Sequence, residues 1–186
     1  EMLFLVEELV EGASLQALSQ DKLNLETNQK HAVLLGICRA LRYLHGLRPA
    51  IAHGDLKPTN VLITTRDQMP KLIDFGLSRI RANKSRQLGG TPRYMAPEAL
   101  MKVTTMSLAD KADVFSFGRV VFFVLTATNP LKGLSVQDVM NVLQRRQVSP
   151  LDWGPTVADF QEPAMELTDR CLAFEPTLRP SAEEVE

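Results

Sequence analysis

Apolar positions recur along this chain with two periods, and the period changes where the polar residues of interest lie. Between Asn28 and His45 the residues Val33, Ile37, Ala40, Leu41 and Leu44 repeat at helical spacing, while Lys30, Arg39 and Arg42 fall on the other face. That pattern predicts an amphipathic helix, stopped before Pro49. The β-branched run Val61-Leu62-Ile63 and the run Lys71-Leu72-Ile73 follow, separated by polar residues from Thr64 to Gln68, which predicts a β-hairpin. Helical spacing returns over 112–125, 136–145 and 162–174. A last helix is signalled by Ser181-Ala182-Glu183-Glu184, the pattern of a capping box. Residues 114–125 are apolar nearly all round, so this helix is expected in the middle of the molecule.

The flanking segments read less regularly. Leu3-Phe4-Leu5-Val6 has the length of a short strand, Gly12-Ala13-Ser14 reads as a connector, and Leu15 to Leu18 as the start of a small helix. From Gly76 to Gly90 the chain is rich in Arg, Lys, Ser and Gly without periodicity, and a mobile surface loop is expected there. No internal repeat or low-complexity segment is present in the sequence.

Composition narrows the classes. The 186 residues suit one domain, and 45% hydrophobic with 23% charged residues is the balance of a folded globular chain. A formal charge of −1 offers no general field for nucleic acid or an anionic membrane. The most apolar run, Val120 to Leu125, is far below the roughly 20 residues of a membrane span. Cys38 and Cys171 sit in apolar helical contexts, which suits reduced, buried thiols of a cytosolic or nuclear protein better than a disulfide framework. The first residue, Glu1, is not Met, and the chain is expected to be cut from a longer one.

The hairpin carries the candidate chemistry. In an antiparallel pair, the residue entering the first strand and the residue leaving the second lie at one end of the ladder, places that Asn60 and Asp74 are expected to occupy side by side. An amide carbonyl and a carboxylate are hard oxygen donors, suited to Mg²⁺ with phosphate oxygens completing its shell. Asp55 lies five residues before Asn60 on the same loop, and Lys57 brings a cation to the same region.

These residues stand in a specific setting. His53-Gly54-Asp55-Leu56-Lys57-Pro58-Thr59-Asn60 resembles the catalytic loop of protein kinases, Asp74-Phe75-Gly76 their metal-binding triplet, and Ala96-Pro97-Glu98 the end of their activation segment. Asp113-Val114-Phe115-Ser116-Phe117-Gly118 and Arg179-Pro180 extend the resemblance over essentially the whole chain. A single tripeptide would be weak evidence, but several in the right order and spacing are strong. The run Gly90 to Glu98, with Cys171-Leu172, is similar to the tyrosine-kinase-like group of Ser/Thr kinases.

The resemblance implies an α+β, mainly α-helical fold: the large C-terminal lobe of a protein kinase, with a short β-hairpin at the catalytic end and the N-terminal lobe absent. It divides the chain into a hinge and first helix start over 1–15, a catalytic loop over 53–60 and an activation segment over 74–98. It implies that Asp55 takes the proton of the substrate hydroxyl, that Lys57 stabilises charge on the transferred phosphoryl group, and that Thr91 bridges the two. Lys57 and Thr91 are the residue types that Ser/Thr-specific members show. ATP would meet the backbone of Glu8 and Val10 at its adenine edge, Leu62 below the ring and Ser14 at the ribose, while Asn60 and Asp74 hold Mg²⁺. His53, Phe75, Glu98, Asp113 and Arg179 are implied as structural: His53 packs under the triplet, Asp113 anchors the catalytic-loop backbone, and Glu98 pairs with Arg179. The partners implied are the nucleotide and a protein bearing a Ser or Thr hydroxyl; the oligomeric state is left open.

Two residues depart from the family pattern. Gly54 stands where most kinases carry an Arg that receives an activation-loop phosphate, which leaves activation by phosphorylation of that loop, for instance at Ser85, without its usual acceptor. Glu7 falls at the back of the adenine pocket, where a carboxylate is unusual. The Gly-rich phosphate loop, strand Lys and helix Glu of the family would precede Glu1, so this stretch by itself is expected to transfer no phosphate. Three classes stay open: a Ser/Thr kinase in the full-length chain, a pseudokinase or scaffold with the same fold, and a regulatory fragment that binds a kinase partner.

Overall fold

The computed structural model describes residues 8–20, 25–75, 79–80, 92–101, 108–154 and 161–186. Strand β1 (Gly12–Ser14) leads directly into helix α1 (Leu15–Gln20), followed by α2 (Thr27–Gly46), β2 (Ile51–Ala52), a 3₁₀ turn (Pro58–Asn60), β3 (Val61–Thr64), β4 (Pro70–Leu72) and β5 (Arg79–Ile80). The rest is helical: α3 (Pro97–Leu100), α4 (Ala109–Thr126), α5 (Val136–Leu143), α6 (Gln161–Cys171), a 3₁₀ turn (Pro176–Leu178) and α7 (Ala182–Val185). The fold is thus mainly α-helical with a small antiparallel sheet.

Helix α4 is the centre of the packing. Every residue from Ala112 to Val124 is buried, because its apolar side chains encircle it and meet α2 on one side and α6 on another. Gly118 sets the closeness of the second contact: a Cβ there would lie 2.9 Å from the Cβ of Cys171. Helix α2 buries Val33, Ile37, Cys38 and Leu41 against α4, and the same cluster takes in Leu56, Val61 and Ile63 beneath the sheet. Truncating a fully buried aromatic such as Phe115 would cost about 3–5 kcal/mol. Among the described residues no helix is long and apolar enough to cross a membrane.

Helix ends follow local chemistry. Glu26 and Gln29 close a capping box at the start of α2, and Ser181 with Glu184 forms another at α7, where Ser181 Oγ accepts from Glu184 N–H at 3.2 Å. Helix α4 ends on Ala127 in the left-handed conformation, its N–H donating to the Phe123 carbonyl at 2.8 Å. Helix α6 stops at Cys171, three residues before the expected end, and α5 at Leu143, two before.

The sheet differs from the expected two-stranded ribbon. Gly12–Ser14, read from the sequence as a connector, is a strand on the free edge of β3, so the order is β1-β3-β4. Gly, Ala and Ser carry little strand propensity of their own; pairing to an open ladder edge decides their state. The run after Gly76 also holds a strand, since β5 pairs antiparallel with β2. The expected strand Leu3–Val6 and the rest of the expected loop lie outside the described residues.

Candidate active site

The hairpin register decides how the oxygen donors meet. Val61 pairs with Leu72 and Leu62 with Lys71, and the Ile73 N–H donates to the Asn60 carbonyl at 3.0 Å. Asn60 therefore faces Ile73, and Asp74 comes one residue later; the two are not directly opposed as the ladder argument expected. The hairpin register sets that offset, and Asp74 then leaves the ladder in the left-handed conformation, φ 65°, which turns the chain at its end. Asp74 and Phe75 are exposed at this edge.

The loop before β3 is held from within. Lys57 Nζ lies 2.6 Å from Asp55 Oδ2, and Asn60 Nδ2 donates to the same oxygen at 3.1 Å and to the Asp55 carbonyl at 2.8 Å. Both partners of that amide nitrogen are acceptors only, so the Asn60 Nδ2 end faces Asp55 and Oδ1 is turned the other way, near the Thr59 hydroxyl at 3.4 Å. Asp55 is nearly buried, at 9% exposure, so its carboxylate has one fixed orientation instead of a solvated average.

His53, fully buried, ties this loop to the second strand. Its Nδ1 accepts from the Asp55 N–H at 3.3 Å and its Nε2 lies 3.1 Å from the Ile73 carbonyl, a pattern that fits a proton on Nε2. The ring also meets Phe75, with centroids 5.0 Å apart and planes tilted by 50°. Gly54, next in the chain, has φ 80°, a conformation glycine adopts without the Cβ clash of other residues.

The buried helix supplies the anchor. Asp113 on α4, 1% exposed, accepts from the Gly54 N–H at 2.9 Å on Oδ1 and from the His53 N–H at 2.7 Å on Oδ2. His45 Nε2, at the end of α2, reaches the same Oδ2 at 2.9 Å. His45 was not foreseen: in sequence it is a basic residue in the last turn of a helix, a place it could take simply to complement the helix dipole.

Further from this loop, Arg179 and Glu98 form a buried bidentate pair, and Arg179 spends its other donors on the carbonyls of Lys111, Ala173 and Phe174. Three more residues, which the sequence reading took only as parts of motifs, position the segment before α3. Arg93 Nη1 donates to the Pro130 and Leu131 carbonyls, the Tyr94 hydroxyl bonds Asn129 Oδ1 at 3.0 Å, and Ser116 Oγ donates to the Tyr94 carbonyl at 2.9 Å. Burial pushes the Tyr94 phenol well above its ordinary value.

The residues expected at the nucleotide lie on the outer face of the sheet. Ser14 pairs with Leu62 across β1 and β3, and Leu62 with Lys71 across β3 and β4, so the three form one row while Val61 and Ile63 turn to the core. Ser14 Oγ already accepts the Ala17 N–H at 3.2 Å, capping α1, and keeps its hydroxyl proton to donate. Glu8 is exposed, its Oε1 2.5 Å from Lys71 Nζ, and Val10 is half-buried. Thr91, Glu7, Gly76 and Ser85 lie outside the described residues.

Donor chemistry at this edge fits a hard cation: the Asn60 amide nitrogen is taken up by Asp55, which leaves an oxygen, and Asp74 adds a carboxylate.

Comparison with known proteins gives the family of the chain. The model of the protein kinase domain matches residues 1–186. The chain is 32% identical, over 98% of its length, to a mitogen-activated protein kinase kinase kinase 7-like protein of Drosophila melanogaster, covering 46% of that protein. It is 31% identical over 84% of its length to the serine/threonine-protein kinase CTR1 of Arabidopsis thaliana, covering 18% of it. It is 29% identical over 98% of its length to the receptor protein-tyrosine kinase CEPR1 of the same plant, covering 20% of it. The chain thus spans less than half the length of each of these relatives.

Proposed function

Because this chain belongs to the protein kinase family, we propose that the protein of which it is part transfers the γ-phosphoryl group of ATP to a serine or threonine hydroxyl of a protein substrate. The observation that carries this reading is the Asp55 carboxylate, held in one orientation by Lys57 at 2.6 Å and by Asn60 at 3.1 Å. Such a carboxylate can accept a proton from an incoming alcohol and aim its oxygen in line with the phosphorus. The acceptor oxygen forms a bond to the γ-phosphorus, the bond to the β-γ bridging oxygen breaks, and the hydroxyl proton goes to Asp55. Lys57, already beside that carboxylate, swings little to meet charge on the phosphoryl oxygens.

Asn60 Oδ1 and Asp74 are the residues that would hold Mg²⁺, whose bound charge would neutralise the phosphates. Adenine would rest against the row containing Leu62, with backbone groups of Glu8 and Val10 at its edge and Ser14 at the ribose. Thr91 completes the proposed catalytic set. Serine/threonine specificity rests on Lys57 and Thr91; the names of the relatives include both classes. Gly54 brings no guanidinium to receive a loop phosphate, which supports activity that does not wait for phosphorylation of that loop.

The test is phosphoamino-acid analysis of a generic protein acceptor after incubation with the full-length protein, ATP and Mg²⁺. Phosphoserine or phosphothreonine is expected, falling by about 10²–10⁴-fold in Asp55→Asn. Product that is phosphotyrosine would end the specificity assignment, and an Asp55→Asn protein as active as wild type would end the mechanism.

A further inference from the structure

Arg93 is half-buried and spends only one nitrogen of its guanidinium. Nη1 donates to the carbonyls of Pro130, at 3.5 Å, and Leu131, while Nε and Nη2 have no hydrogen-bond partner among the described residues. The acceptor side is built at a cost. Leu131 is 7% exposed and holds φ 57°, a left-handed conformation that an L side chain takes only with strain, and its carbonyl is one of the two that Arg93 meets. Glu98, the acid nearest to Arg93 in sequence, is already held by Arg179. A guanidinium fixed at one nitrogen, with its other donors unspent, is preorganised for a carboxylate brought from outside. We propose that Arg93 recognises an acidic side chain of the protein substrate, close in sequence to the Ser or Thr that receives the phosphoryl group; the proposal rests on the kinase reading and names the substrate class.

Helix α4 brings Arg93 near the proposed base. Asp113 Oδ1 accepts from the Gly54 N–H at 2.9 Å, and Ser116 Oγ donates to the Tyr94 carbonyl at 2.9 Å. These two side chains are three residues apart on α4, a rise of about 4.5 Å along one helix face. Asp55 follows Gly54 and Arg93 precedes Tyr94, so both are presented from neighbouring points of the same buried helix. An extended substrate advances about 3.3 Å per residue, and residues a few places from an acceptor held at Asp55 come within reach of Arg93. The sequence around Arg93 adds a field of the same sign. From Gly76 to Met106 it holds six Lys and Arg residues and a single acid, Glu98, in a chain whose totals are 21 basic and 22 acidic. Such a local excess draws acidic partners and turns away basic ones.

The test uses the full-length protein and pairs of peptides with one Ser acceptor, in which Glu at each flanking position is compared with its Gln twin. At one or more positions Glu is expected to raise kcat/KM by roughly 10-fold, an advantage that shrinks with added salt. Arg93→Gln, which can still donate to a carbonyl, is expected to remove the preference, and Arg93→Glu to reverse it in favour of Lys-bearing peptides. An Arg93 that only props the chain would, when replaced, lower the rates on Glu and Gln peptides alike and keep their ratio. That result would overturn the proposal, as would wild-type protein indifferent to Glu at every position. Fluorescence anisotropy reads the same recognition without any phosphotransfer: the Glu peptide is expected to bind wild type more tightly than its Gln twin does, and to lose that advantage with Arg93→Glu. Binding of this kind by a protein that transfers no phosphate would leave Arg93 as the reader of the acid and count against the kinase reading alone. Phosphotransfer with no flanking preference would do the reverse.

Discussion

Arg179 and Glu98 meet through two parallel hydrogen bonds, Nη1 to Oε1 at 2.7 Å and Nη2 to Oε2 at 2.8 Å, across 81 residues of chain. The pair joins α3 to the end of the helical body, and the Phe115 ring of α4 lies 5.0 Å from the guanidinium carbon. Both side chains are buried, so neither charge has water as a substitute partner.

Breaking this pair from one side should be costly. Glu98→Gln is expected to lower stability by about 3–5 kcal/mol, because it strands the Arg179 charge in the interior. Removing both charges with Glu98→Leu and Arg179→Met should cost clearly less than the two single changes added together. Denaturant unfolding of the four proteins measures this; strict additivity would mean the two groups are not coupled.

Arg119 presents the opposite case. It is buried on α4 over the face of Phe115, its Nε and Nη1 have no hydrogen-bond partner among the described residues, and burial lowers its pKa to about 10. A cation whose folded pKa lies below its ordinary 12.5 destabilises the fold wherever it is protonated, which covers all pH values below about 10. Arg119→Met is therefore expected to stabilise the protein at pH 7 by about 1–3 kcal/mol, a rise of several degrees in Tm. A thermal scan showing a lower Tm would mean that the guanidinium has a compensating role.

The two thiols should be inert in the folded state. Burial raises Cys38 to about 11 and Cys171 to about 12, and Cys38 Sγ also donates to the Ala182 carbonyl. Iodoacetamide at pH 8 is expected to spare both until denaturant is added. Groups with raised folded pKa values stabilise fully below their ordinary value of 9.0 and lose that contribution as pH climbs through the folded ones. Unfolding midpoints should accordingly fall between about pH 9 and 12, and a flat profile over that window would contradict the assignment.

Gly54 offers a backbone test. At φ 80° any L side chain meets its own carbonyl, so Gly54→Ala is expected to cost about 1–2 kcal/mol. Comparison of unfolding free energies decides it, and an unchanged value would show that the loop relaxes to another conformation.

Much of this molecule was legible in the residue pattern because its signals are local. The period of Val33, Ile37 and Leu41 made α2, the continuous apolar run made α4 the buried centre, and the Ser181 hydroxyl with the Glu184 carboxylate began α7 where a capping box requires. The ordered motifs around Asp55, Asp74 and Glu98 likewise carried the family assignment, since a short motif keeps its spacing whatever the surroundings.

Tertiary structure decided what depends on a neighbour distant in sequence. Gly12–Ser14 became a strand because β3 had an edge to offer, Asp74 fell one place past Asn60 because the hairpin register sets Ile73 opposite it, and His45 met Asp113 because α2 and α4 pack side by side. Nothing within a few residues of Arg119 announces that its Nε and Nη1 will be buried with no hydrogen-bond partner among the described residues. Periodicity and caps are written into adjacent residues, whereas a hydrogen bond or an uncompensated charge exists only once two distant segments have closed the space between them.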